Sequence, residues 1–143
     1  MEITVDSGAG GSVANPLSMP LYPVVPSAGS KRGQKYRGPG GEVIPNTGEQ
    51  RVAVKVASGG KRAMTFQSAP VRKPLMAVSG ACDHHQFVIF DNDGSYICQK
   101  GSKLAEEILQ KVKEMPQEQK IVLSRKNGTY SMPVWLQPFH RQG

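Results

Sequence analysis

The sequence predicts an all-β domain that carries one amphipathic helix near residues 102–115. Three observations support that fold class. The 143 residues include 16 glycines and 11 prolines, a composition rich in turns and poor in long helices. Three segments place alternating residues on both sides of a tight-turn pair, which is the pattern of β-hairpins. A single segment repeats apolar residues at helical spacing.

Taken in order, "EITV" is a short strand that runs into Asp6. Residues 14–30, "ANPLSMPLYPVVPSAGS", hold four prolines and are expected to be extended or looped. "KRGQKYRGPGGEVIPNTGE" is a long Gly and Pro stretch without a hydrophobic face. In "RVAVKVASGGKRAMTFQSA", Val52, Val54 and Val56 alternate with Ala53 and Lys55, "SGGK" turns, and Arg62 to Phe66 alternate again. "VIFDNDGSYI" is a second hairpin with Asp93-Gly94 at its turn, and "IVLSRKNGTYSMPVWL" a third with Asn127-Gly128. Between them Ser102 caps a helix whose Leu104, Ile108, Leu109, Val112 and Met115 share a face, and Pro116 stops it. The expected organisation is a core over 1–101, a helical insertion over 102–118, and a C-terminal hairpin and tail over 119–143.

Composition narrows the function classes. The net charge is +7, and ten of the 18 Lys and Arg fall between Lys31 and Lys73 with only Glu42 and Glu49 against them. Such a segment attracts nucleic acid or reads as a solvated face. Its only aromatics, Tyr36 and Phe66, give weak support for stacking on single strands. No apolar run approaches the roughly 18 residues that span a bilayer, and Glu2 stands where a signal peptide would be basic, so a cytoplasmic location is expected. Cys82 and Cys98 read as free thiols. Cys82, His84 and His85 lack the paired spacing of a zinc site, and on a strand the two histidines would face opposite ways, so neither metal nor cofactor is expected. "DNDG" lacks the EF-hand order, "NGT" is a turn, and "GAGG" and "SGGK" lack phosphate-loop spacing.

That leaves Asp6, followed at once by Ser7, Gly8, Ala9, Gly10 and Gly11. It is either a turn former at a strand end or a carboxylate held there with room for a substrate. The run "VDSGAG" resembles the active-site triplet of the retroviral-like aspartic proteases, in which a strand delivers Asp-Thr/Ser-Gly-Ala. "VRKPLMAVSGACDHHQFVIFDNDGSYI" and then "LSRKNGTYSMPVW" look like the protease region of copia-type retrotransposon polyproteins. The similarity covers roughly residues 1–100 and 121–136, with the helical segment as an insertion.

The resemblance implies a retropepsin-like acid protease barrel and an aspartic endopeptidase that cleaves a retrotransposon-type polyprotein. Two carboxylates share one proton there, one acting as base on a water and the other as acid toward the carbonyl. This chain has one Asp-Ser-Gly, so it implies a homodimer with Asp6 from each copy and a polypeptide substrate. Ser7 would reach backbone across the two-fold axis, while Gly8 and Ala9 give substrate backbone access. In "YRGPGGEVIP", Gly38, Gly40 and Gly41 would form the flap tip, stiffened by Pro39. Val43, Ile44, Met76 and Val78 are candidate pocket walls. Ser79-Gly80-Ala81 stands where retroviral members have Gly followed by Arg, Asn or Asp, and five residues precede Asp6. The alternative is a retropepsin-like binding or structural module without turnover.

Overall fold

The computed structural model describes residues 1–38 and 40–138. Its centre is the expected hairpin of β5 (Gly48–Lys55) and β6 (Lys61–Ser68), paired in register from Gly48 opposite Ser68 to Lys55 opposite Lys61. Alternation turns Val52 and Phe66 inward, and Phe66 is fully buried against Ala14, Met19 and Val52. Burying that ring contributes about 3 kcal/mol at the upper end for such side chains.

Three short strands extend this hairpin into a sheet ordered β1-β7-β2-β6-β5. They are β1 (Thr4–Asp6), β2 (Val13–Ala14) and β7 (Leu75–Ala77). β7 lies between β1 and β2, parallel to the first and antiparallel to the second, while β2 runs parallel to β6. β1 therefore joins the sheet only through residues 75–77, whereas β2 is also held by β6.

β7 leads directly into α2 (Val78–Asp83). Three hairpins stand as separate two-stranded sheets: β3 (Lys35–Arg37) with β4 (Val43–Pro45), β8 (Gln86–Ile89) with β9 (Tyr96–Gln99), and β10 (Ser124–Lys126) with β11 (Thr129–Ser131). The predicted helix is α3 (Lys103–Glu114), with the Ser102 hydroxyl accepting from the Ala105 N–H at 3.0 Å. α1 (Ala28–Lys31) is a single turn closed by a reciprocal Ser27–Ser30 capping pair.

The all-β barrel expectation is overturned. The fold is mixed α/β, a five-stranded sheet of parallel and antiparallel pairs with hairpins and three helices, and no barrel closes among the described residues. The hairpins do not join the sheet, so nothing carries pairing round from β5 to β1. Residues 14–30 are likewise not wholly extended or looped: Pro16–Ser18 forms a 3-10 turn and α1 follows. Both accept proline because it precedes or opens the turn, where no N–H is needed. His84 and His85 do not lie on a strand. They leave the end of α2, His85 with φ of 61°, and His84 Nδ1 lies 2.6 Å from the Gly80 carbonyl.

Among the described residues, no helix is long and apolar enough to cross a membrane.

Candidate active site

Asp6 is the last residue of β1, and it sits opposite Ala77 at the end of β7. That position is fixed from below, because the Ser12 hydroxyl accepts the buried Ala77 N–H at 3.0 Å and ties the returning loop to β7. The half-buried Asp6 carboxylate is oriented by its own loop: Oδ1 accepts the Gly8 N–H at 2.8 Å. A side chain on Gly8 would begin 3.3 Å from that same oxygen, a tight approach that the carboxylate would have to give way to. Ser7 and Gly8 are exposed, and Ala9 is partly so. The ion pairs among the described residues are Arg51–Glu49 and Arg125–Asp83, so neither involves Asp6.

The far side of this loop rests on the C-terminal hairpin. Asn127 and Gly128 take φ of 52° and 76°, the left-handed pair that a two-residue hairpin turn requires. The turn presses onto the loop after Asp6: a side chain on Gly128 would begin 2.7 Å from the Gly10 carbonyl oxygen and 3.1 Å from the Ser79 hydroxyl on α2. Arg125 clamps the hairpin to α2 through Asp83 at 2.9 Å and lies 5.9 Å above the Tyr130 ring. Hydrogen bonding with the Cys82 thiol, and then burial, pushes the Tyr130 hydroxyl above its ordinary range, with Arg125 working against the shift.

Gly38, Gly40 and Gly41 lie in the turn that joins β3 to β4, with Gly38 N–H donating to Glu42 at 2.9 Å and Gly41 N–H to Gly38 at 3.0 Å. Pro39 lies outside the described residues. The base of this hairpin is anchored to the sheet, because Asn46 Nδ2 donates to Gln67 Oε1 at 2.9 Å and to the Tyr36 hydroxyl at 3.3 Å. The structure thus forms a hairpin at the candidate flap, with no hydrogen bond from its tip to the loop around Asp6 among the described residues.

The candidate pocket walls separate. Met76 lines an open groove beside β1, together with Ile3, Val5, Val54 and Met64. Val78 is core, Val43 is exposed and Ile44 is half-buried. All ten basic residues from Lys31 to Lys73 are exposed. Both cysteines are free, and no group of three or more His, Cys, Asp or Glu among the described residues is placed to hold a metal.

Sequence reasoning missed Ser12 and the contact between Gly10 and Gly128. Nothing local signals either, since each partner is far away in the chain. Searches for similar proteins add nothing here: no family model, no curated protein and no solved structure matches the chain.

Proposed function

We propose that the chain is one half of an aspartic endopeptidase, completed when two copies bring their Asp6 carboxylates together across a two-fold axis. The observation that carries this reading is the state of Asp6. It ends a strand, is oriented by the Gly8 N–H at 2.8 Å, and has no cationic partner among the described residues. The surroundings support a second copy. β1 is an edge strand with one side unpaired in the sheet, and the groove that Ile3, Val5 and Met76 help line lies against it.

In the paired site, one carboxylate takes a proton from a water held between the two. The water oxygen bonds to the peptide carbonyl carbon, and the other carboxyl gives its proton to the carbonyl oxygen. The resulting diol collapses, the C–N bond breaks, and a proton passes to the leaving amine. No other group is required. The substrate proposed is a polypeptide of retrotransposon polyprotein type, which is the class the Asp-Ser-Gly run and closing hairpin resemble.

One observation favours the second reading, a non-catalytic binding module. An Asp that accepts the N–H two residues on is also what an ordinary turn-forming aspartate does.

The test is mass analysis of fragments released from the parent polyprotein by wild type and by Asp6→Asn. Asparagine keeps the acceptor for Gly8, so the fold is expected to persist while cleavage is lost. Cleavage by the variant at the wild-type rate overturns the assignment, and a wild type that cuts nothing between acidic and neutral pH hands the site to the binding reading.

A further inference from the structure

The helix α3 leaves an apolar seam in solvent. At about 100° per residue, Leu104, Ile108, Val112 and Met115 fall within an arc of about 80°. They are 67%, 38%, 52% and 39% exposed. The helix leans on the body through the neighbouring edge instead, where Ala105 is buried and Leu109 half-buried. Lys120 folds back onto the last turn, its ammonium donating to the carbonyls of Val112 at 3.1 Å and Lys113 at 2.7 Å. That brings the exposed run Ile121, Val122 and Leu123 next to the seam's end.

The charges beside the seam say what covers it. Glu107 and Lys111 border its free flank, and Lys103 and Glu114 lie further round on the same side. The order along the helix is Lys, Glu, Lys, Glu, so it is opposite in sign when read backwards about Leu109. Antiparallel helices related by a two-fold axis bring the same flanks together. Glu107 then meets Lys111, Lys103 meets Glu114, and Leu104 lies against Met115. A parallel two-fold pairing would instead turn this charged flank toward the partner's opposite flank, the Ala105 and Leu109 edge, where Glu107 and Lys111 find no opposite charge. We infer that α3 is a self-association surface whose occupant is the α3 of a second copy, packed antiparallel. A three-turn helix about 18 Å long covers less than the roughly 800 Å² per partner of a standard interface, and residues 121–123 enlarge the contact. This surface is separate from the Asp6 axis and does not depend on catalysis.

Sedimentation of the full chain against concentration tests it. Wild type is expected to show an association step that Ile108→Asp weakens by at least tenfold. Glu107→Lys alone and Lys111→Glu alone are expected to do the same, because each sets like charges face to face. An equimolar mixture of those two single variants is expected to regain the step, which a misfolded variant could not do. These side chains are exposed, so the substitutions leave the core untouched. A wild type with no step that responds to Ile108→Asp, or a mixture that stays at the mass of the separate variants, overturns the inference, and the seam then belongs to a different partner.

Discussion

Gly10 and Gly128 meet backbone to backbone, so close that a carbon added to Gly128 would sit 2.7 Å from the Gly10 carbonyl oxygen. Gly128 also holds φ of 76°, which costs an L-residue about 1–2 kcal/mol. Gly128→Ala must therefore move the loop that carries Asp6. Its melting temperature is expected to fall by about 3–8 °C. Its cleavage rate is expected to fall at least tenfold, because the strain is delivered to the loop beside the carboxylate. A variant that melts lower yet cleaves as fast as wild type would show that the hairpin does not position the site.

The proposed site, shared by two copies, would make activity depend on concentration. Specific activity is expected to drop on dilution below the dimer dissociation constant. Excess Asp6→Asn chains are expected to poison wild type by forming pairs with a single carboxylate. Full activity from a strict monomer, with no effect of added variant, would remove the two-fold site.

Gln50 supplies a sharp test of the core. Its buried Nε2 faces the carbonyls of Pro16, Met19 and Tyr22 at 3.3, 3.0 and 2.9 Å, pinning that loop to β5. Gln50→Ala is expected to cost about 1–3 kcal/mol through carbonyls left without a donor. Gln50→Glu is expected to cost more, since it turns a carboxylate oxygen toward the same carbonyls, and acidification should recover part of the loss by restoring a donor. Urea midpoints at neutral and acidic pH measure both, and equal midpoints for the two variants would contradict the geometry.

Tyr36 sets an alkaline limit. Burial raises its hydroxyl above the ordinary value of 10.0, and the Asn46 hydrogen bond works against the shift. Above that value the folded chain holds a proton that the unfolded chain has released. The contribution is therefore complete below about pH 10 and is lost as pH rises through the folded value. Tyr36→Phe is expected to flatten the fall in urea midpoint between about pH 9 and pH 11 relative to wild type. Parallel curves would show that Tyr36 carries none of it.

The parts of this fold that are local were legible. Asn127-Gly128 announces its hairpin because a left-handed pair admits few residues, and Ser102 announces α3 because a cap and a seam lie within one segment. Barrel closure was not legible, because it depends on which hairpins join the sheet, and none of the three does. The division of the run from Leu75 to Asp83 into β7 and α2 was not legible, because it depends on small Ser79, Gly80 and Ala81 packing as a helix turn under the C-terminal hairpin. Gln50 shares the inward alternation of Val52, and its polarity made sense only once three carbonyls were found above it. The triplet at Asp6 was visible from its letters, whereas its support by Ser12 and Gly128 spans too much sequence to be seen there.

The distance in sequence between Gly10 and Gly128 also sets a timetable. Asp6 is made well before its neighbours in the fold, and β1 has no strand to lie against until Leu75–Ala77 have followed. Its loop has no backing until position 128 follows. Contacts this remote form late, because the long loop must close before they repay its entropy. Until residues 75–77 follow, the carboxylate is a side chain on an unpaired ribbon, and its loop stays unbacked until the Asn127-Gly128 turn is made. In the proposed protease, the peptide bonds of a nascent polypeptide would thus be spared until the Asn127-Gly128 turn has been made.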